Sequence, residues 1–116
     1  MPLDLEQQRV GSILNLLLPG RVDEVSARRN AVVVAAPTKD RPDLVSLCPI
    51  VRIGASDVDR SLPLELVVSL DGERAFINCA AVYQVALSDR EATFVGHLSD
   101  EVVEKVGQNL AWRTAI

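Results

Sequence analysis

Ala31-Val32-Val33-Val34-Ala35-Ala36, an uninterrupted apolar run, follows directly on Val22-Asp23-Glu24-Val25-Ser26-Ala27-Arg28-Arg29-Asn30, a charged and turn-prone segment. Consecutive valines without polar alternation predict a strand buried on both faces, and such a strand is a rigid base for a functional loop. Glu24 and Arg29 are the residues of that loop with chemistry to offer. Converging on one phosphodiester, the carboxylate would take a proton while the guanidinium neutralises developing charge. The plainer alternative is a solvated turn with an incidental ion pair worth ~0–1 kcal/mol, and the stretch taken alone favours it.

Outward from this strand the punctuation is regular. Ile13-Leu14-Asn15-Leu16-Leu17-Leu18, opened by Gly11 and closed by Pro19-Gly20, has the length of a first strand. The segment Pro19 to Arg29 then exceeds what a hairpin needs, and long loops in compact domains are often functional. Leu44 to Ile53 predicts a third strand. Pro49 within it lacks an N–H and so implies an edge position or a bulge. Asp71-Gly72 between Leu64-to-Leu70 and Glu73-to-Cys79 is the preferred pair for a tight hairpin turn. Ala81 to Ala86 and Ala92 to Val95 predict two further short strands.

Ser99 followed by Asp100 and Glu101 opens a helix, with the hydroxyl as N-cap, the acids facing the positive dipole end and Leu98 stapled to Val103. The helix is expected to reach about Trp112. Its apolar face, Val102, Val103, Val106 and Leu110, suits a lid on the barrel or a dimer seam, with Gly107 allowing close packing. Short strands and frequent turns followed by one helix predict a mainly β fold, a compact barrel with a C-terminal helix.

A length of 116 residues suits one domain spanning 1–116, large enough for a core without disulfides. With aromatics at 3%, that core must rest on Val, Leu, Ile and Ala. The net charge of −4 gives no overall basic field for nucleic acid, so binding would need a local patch, for which Arg21, Arg28, Arg29 and Arg52 are available. Cys48 and Cys79 sit in apolar runs without CxxC spacing, which predicts buried, slowly reacting thiols rather than metal or redox chemistry. Asp57 and Asp59 lack the further oxygen ligands of a calcium loop and are expected to be solvated, so neither metal nor cofactor is expected. The first ten residues lack a basic stretch followed by an apolar one, and Ile13 to Leu18 is far short of the ~20 residues that span a bilayer; the expected location is the cytoplasm.

The order of these motifs resembles the toxin superfamily containing MazF, PemK/Kid and CcdB. In the MazF/PemK branch a glycine and strand lead to a proline, a loop glutamate, an Arg-Pro pair and a valine-rich strand. Gly11, Pro19, Glu24, Arg29-Asn30 and Ala31 to Val34 occupy those places. Cys48-Pro49-Ile50, Pro63-Leu64-Glu65-Leu66 and Leu98-Ser99-Asp100-Glu101 are similar to the branch's later motifs. The resemblance implies a small SH3-like β-barrel, a homodimer, a cognate antitoxin, and metal-independent cleavage of single-stranded RNA through a cyclic phosphate. By the same resemblance Glu24 is the base, Arg29 the phosphate clamp and proton donor, and Arg28, Arg52 and Arg21 are auxiliary RNA contacts.

Two departures weaken the catalytic reading. The Thr or Ser that the branch carries after its Val-Pro segment is Val51 here, which has no hydroxyl to donate, and its Asp-Gln pair is Ala80-Ala81. Asp71-Gly72-Glu73-Arg74, Ala80-Ala81-Val82 and Val95-Gly96-His97-Leu98 also resemble the CcdB branch, which poisons DNA gyrase without catalysis, whereas the chain ends Trp112-Arg113-Thr114-Ala115-Ile116 where that branch has Trp-Gly-Ile. A gyrase poison and a catalytically degenerate binding barrel are therefore the alternatives. His97 at the helix entry is expected to be structural, although histidine is the usual proton-transfer residue near neutral pH. Tyr83 and Trp112 could stack on bases but fit core or interface positions more simply.

Overall fold

The computed structural model describes residues 3–18, 27–52, 66–70 and 72–114. Seven strands precede one helix: β1 (Ser12–Leu18), β2 (Ala27–Ala35), β3 (Leu44–Arg52), β4 (Val67–Leu70), β5 (Glu73–Ile77), β6 (Tyr83–Ala86), β7 (Thr93–His97) and α1 (Asp100–Thr114). They form a curled antiparallel sheet ordered β4-β5-β3-β2-β1-β7, with β6 paired to β3. The expected loop residues Pro19 to Ser26, including Arg21 and Glu24, lie outside the described residues. So do Ile53 to Glu65 and Asp71.

β2 occupies the interior position that its composition predicts. Val32 belongs to one apolar cluster, with Ile13, Cys48, Ile50 and Ile77. Its neighbours Ala31 and Val33 belong to another, with Leu14, Leu16, Leu18, Val45 and Leu47. Strand alternation thus feeds two clusters from one valine-rich segment. Cys48 and Cys79 are buried free thiols.

The ladder corrects the sequence reading at two points. β2 begins at Ala27, so Arg28 and Arg29 are strand residues paired with Leu17 and Leu16, not members of a loop. Charge was the misleading signal: an arginine at the open end of a ladder satisfies its backbone in the sheet while its head remains in solvent. Pro49 is likewise not at an edge, since β3 pairs with β2, β5 and β6. Along one side β3 exchanges β6 (through Leu47) for β5 (from Ile50), and the Pro49 carbonyl there accepts the Asn78 N–H at 2.9 Å. The N–H that proline lacks faces this same changeover, where no ladder bond is lost.

The β4–β5 hairpin is as expected, with Leu70 opposite Glu73 and Gly72 at φ 78° in the left-handed region that a tight turn requires. The Val102 N–H donates to Ser99 Oγ at 3.4 Å, so Ser99 caps α1. Val106 is buried in the first cluster with Val102, Leu98 and Leu110 packed on it, which makes α1 a cover for the face carrying Val32.

Gly107, by contrast, is exposed, and a Cβ added there would meet nothing within 4 Å. It permits no close approach. Gly107→Ala is therefore expected to stabilise the fold by about 0.5–1 kcal/mol through helix propensity alone, read as a raised denaturation midpoint at constant m-value. Among the described residues no helix is long and apolar enough to cross a membrane.

Candidate nucleic-acid interface

The face of β2 that α1 covers at Val32 and Val34 continues, past the helix, to Asn30 and Arg28. A cavity of about 260 Å³ opens there. Asn15 of β1 and Arg28, Arg29 and Asn30 of β2 form its polar side. Ile50, Leu70 and Ala75 form its apolar side, and Glu73 brings a carboxylate from β5.

Arg28 is held on its own protein rather than extended. Its Nε donates to Asn15 Oδ1 at 2.7 Å, and one terminal nitrogen donates to the Asn15 and Glu91 carbonyl oxygens at 3.1 and 3.0 Å. A looser ion pair with Glu91 at 3.8 Å adds little, because both side chains are largely solvated. Glu91 has φ 50°, so the arginine ties down a left-handed turn as it joins β1, β2 and the entry to β7. Asn15 Nδ2 in turn donates to Asn30 Oδ1 at 3.0 Å across the β1–β2 ladder.

Strand alternation separates the other predicted arginines. Arg29 shares the sheet face of its partner Leu16, opposite to Arg28 and Asn30, while also contributing to the cavity wall. The last β2–β3 pair is Ala31 with Pro49. Arg29 and Val51 each lie two residues beyond it, so they stand on one face, and both are exposed. Arg52 pairs with Ala75 and falls on the cavity face by register. Its side chain, like that of Trp112, lies outside the described ones.

His97 is remote from this cavity, packing its ring against Phe94 at 4.8 Å with Nε2 3.2 Å from the Glu6 carbonyl oxygen. Tyr83 is half-buried against the second cluster. Asn15 and Glu73 were missed as site residues by the sequence reading. For Asn15 a signal existed: it is the single polar residue inside Ile13 to Leu18, and a lone amide in an apolar strand needs a partner.

The family model for the PemK-like, MazF-like toxin of type II toxin-antitoxin systems matches residues 9–113. The chain belongs to this toxin family. Its fold is similar to two crystal structures of MazE-MazF from Deinococcus radiodurans. For Form-III the TM-score is 0.65 at 16% identity, and for Form-II it is 0.62 at 19% identity. In each comparison 92% of this chain and 95% of the other are covered, and at these identities the likeness concerns the fold. No curated protein is matched by sequence. Within the superfamily suggested by the sequence, the matching family is the PemK/MazF one, over nearly the whole chain.

Proposed function

We propose that this toxin is a metal-independent endoribonuclease that cuts single-stranded RNA. The supporting observation is the placement of Arg29: exposed, at the end of the central strand, on the face of Val51 and at the wall of a polar cavity. In this reading Glu24 removes the proton from a ribose 2′-hydroxyl, which attacks the adjacent phosphate. The Arg29 guanidinium offers paired N–H donors to the phosphate oxygens as charge accumulates on them. The P–O5′ bond breaks, the 5′-oxygen leaves as a hydroxyl with a proton donated in this reading by Arg29, and a 2′,3′-cyclic phosphate remains.

An acidic antitoxin segment would meet the same cation and so block the site, a partner suggested by the MazE-MazF complexes of similar fold. We place Arg21 and Arg52 as further RNA contacts and the working form as a homodimer, with the protein acting in the cytoplasm.

The reading is tested by incubating purified protein with single-stranded RNA in EDTA. Cleavage with cyclic phosphate ends is expected, and a requirement for divalent metal would overturn it. Val51→Thr is a second test. Val51 is 49% exposed, so an added hydroxyl stays hydrated until it meets the phosphate. One new hydrogen bond to a charged group is expected to raise cleavage by about tenfold. Unchanged kinetics would mean that residue 51 does not contact the phosphate.

A further inference from the structure

The hydrogen bonds at the cavity run in one direction, and that direction has a consequence for what the cavity accepts. A guanidinium has donors only, so Arg28 Nε fixes the Asn15 amide with its oxygen toward Arg28. The Asn15 NH2 must then face Asn30 and takes its oxygen. Asn30 is left with its own NH2, which has no partner among the described residues, at the cavity wall beside Arg29. The order Arg28, Asn15, Asn30 thus turns a cation's donor polarity into a neutral donor two side chains away. At this position the family pattern has proline, which has no polar side chain.

We propose that Asn30 is a base-reading residue: the cavity seats one nucleobase of the RNA beside the scissile phosphate, and Asn30 Nδ2 donates to an acceptor on its edge. This deepens, and rests on, the ribonuclease reading. A base fits this lining better than a second phosphate does. Ile50, Leu70 and Ala75 present apolar surface to a ring face, while Glu73 brings a carboxylate that repels an anion and accepts from an amino group. Single-stranded RNA offers that edge because its bases are unpaired. A donor from Asn30 beside an acceptor from Glu73 matches a base edge that pairs an acceptor with a neighbouring N–H donor; every base carries such an edge at a different place on its ring, so the cavity is expected to rank the four bases unequally.

Two variants separate this relay from a merely structural amide pair. Asn30→Asp keeps the oxygen that Asn15 needs and puts a second, negatively charged oxygen in place of the donor. Asn15→Asp keeps the acceptor for Arg28 but can no longer donate, so the Asn30 amide turns over and presents its oxygen to the cavity. Both variants exchange a donor for an acceptor at one point. Both are therefore expected to lower kcat/KM by about tenfold on RNA with the preferred base and to change the base preference at the cut in the same way.

The companion measurement uses the full chain carrying Arg29→Ala, titrated with four short oligoribonucleotides that differ in one base and followed by 15N–1H NMR. The Asn30 side-chain amide signals, identified by their loss in Asn30→Asp, are expected to shift unequally with the four bases, and most with the base preferred at the cut. If RNA is cut but both aspartate variants keep the wild-type base preference, the base pocket is wrong and the ribonuclease reading stands. If wild type cuts no RNA while the Asn30 signals still shift selectively, catalysis is wrong and the pocket stands. If no oligonucleotide moves the Asn30 signals, the pocket is overturned.

Discussion

Arg29→Ala and Glu24→Ala are each expected to lower RNA cleavage by about 10²–10³-fold, the usual cost of removing one electrostatic contact made in the transition state. For Arg29 the fold should be little changed. The residue is exposed in β2, its backbone pairing with Leu16 does not depend on the side chain, and surface substitutions usually alter stability by within about 0.5 kcal/mol. The loss should therefore appear in kcat/KM and not in the denaturation midpoint. Arg29→Lys is expected to recover only part of the rate, because an ammonium keeps the charge but not the planar pair of donors. Wild-type cleavage by both alanine variants would remove these residues from the mechanism.

The second large effect concerns stability. Gly11 adopts φ 94°, and a Cβ placed on it would lie 2.6 Å from Val103 Cγ2. Its N–H donates to the Val33 carbonyl and its carbonyl accepts the Leu98 N–H, both at 2.9 Å. It therefore pins the start of β1 to β2 and to the segment entering α1. In Gly11→Ala the left-handed backbone costs about 1–2 kcal/mol. Displacing a stiff β-branched side chain adds about 1–3 kcal/mol. A total loss of about 2–5 kcal/mol is expected, read from denaturant unfolding. An unchanged midpoint would mean that α1 does not dock on Gly11 as described. Here the helix makes its close approach, and not at Gly107 as the sequence suggested.

That contrast shows what could be read from the chain alone. Ala31 to Ala35, Gly72 and Ser99 each carry a local cause for their structure, so the central strand, the hairpin and the helix start were legible in the chain alone. Arg28 and Arg29 were not, because their strand character comes from pairing with Leu17 and Leu16, a tertiary effect that charge conceals. Pro49 was misread because the changeover between β6 and β5 that accommodates it is set by strand order. Among the residues that line the cavity, Arg29 was already a candidate from its place beside the apolar run. The amide relay could not: Asn15 and Asn30 are fifteen positions apart, and only the register joins them.

The central claim, that this toxin acts by cutting RNA, is tested most directly by primer extension on total RNA after its expression is induced. Discrete new 5′ ends within single-stranded regions are expected with wild type and absent with Arg29→Ala. Intact RNA in cells whose growth has stopped, with DNA gyrase trapped on its DNA, would contradict the account and favour the non-catalytic mode of action.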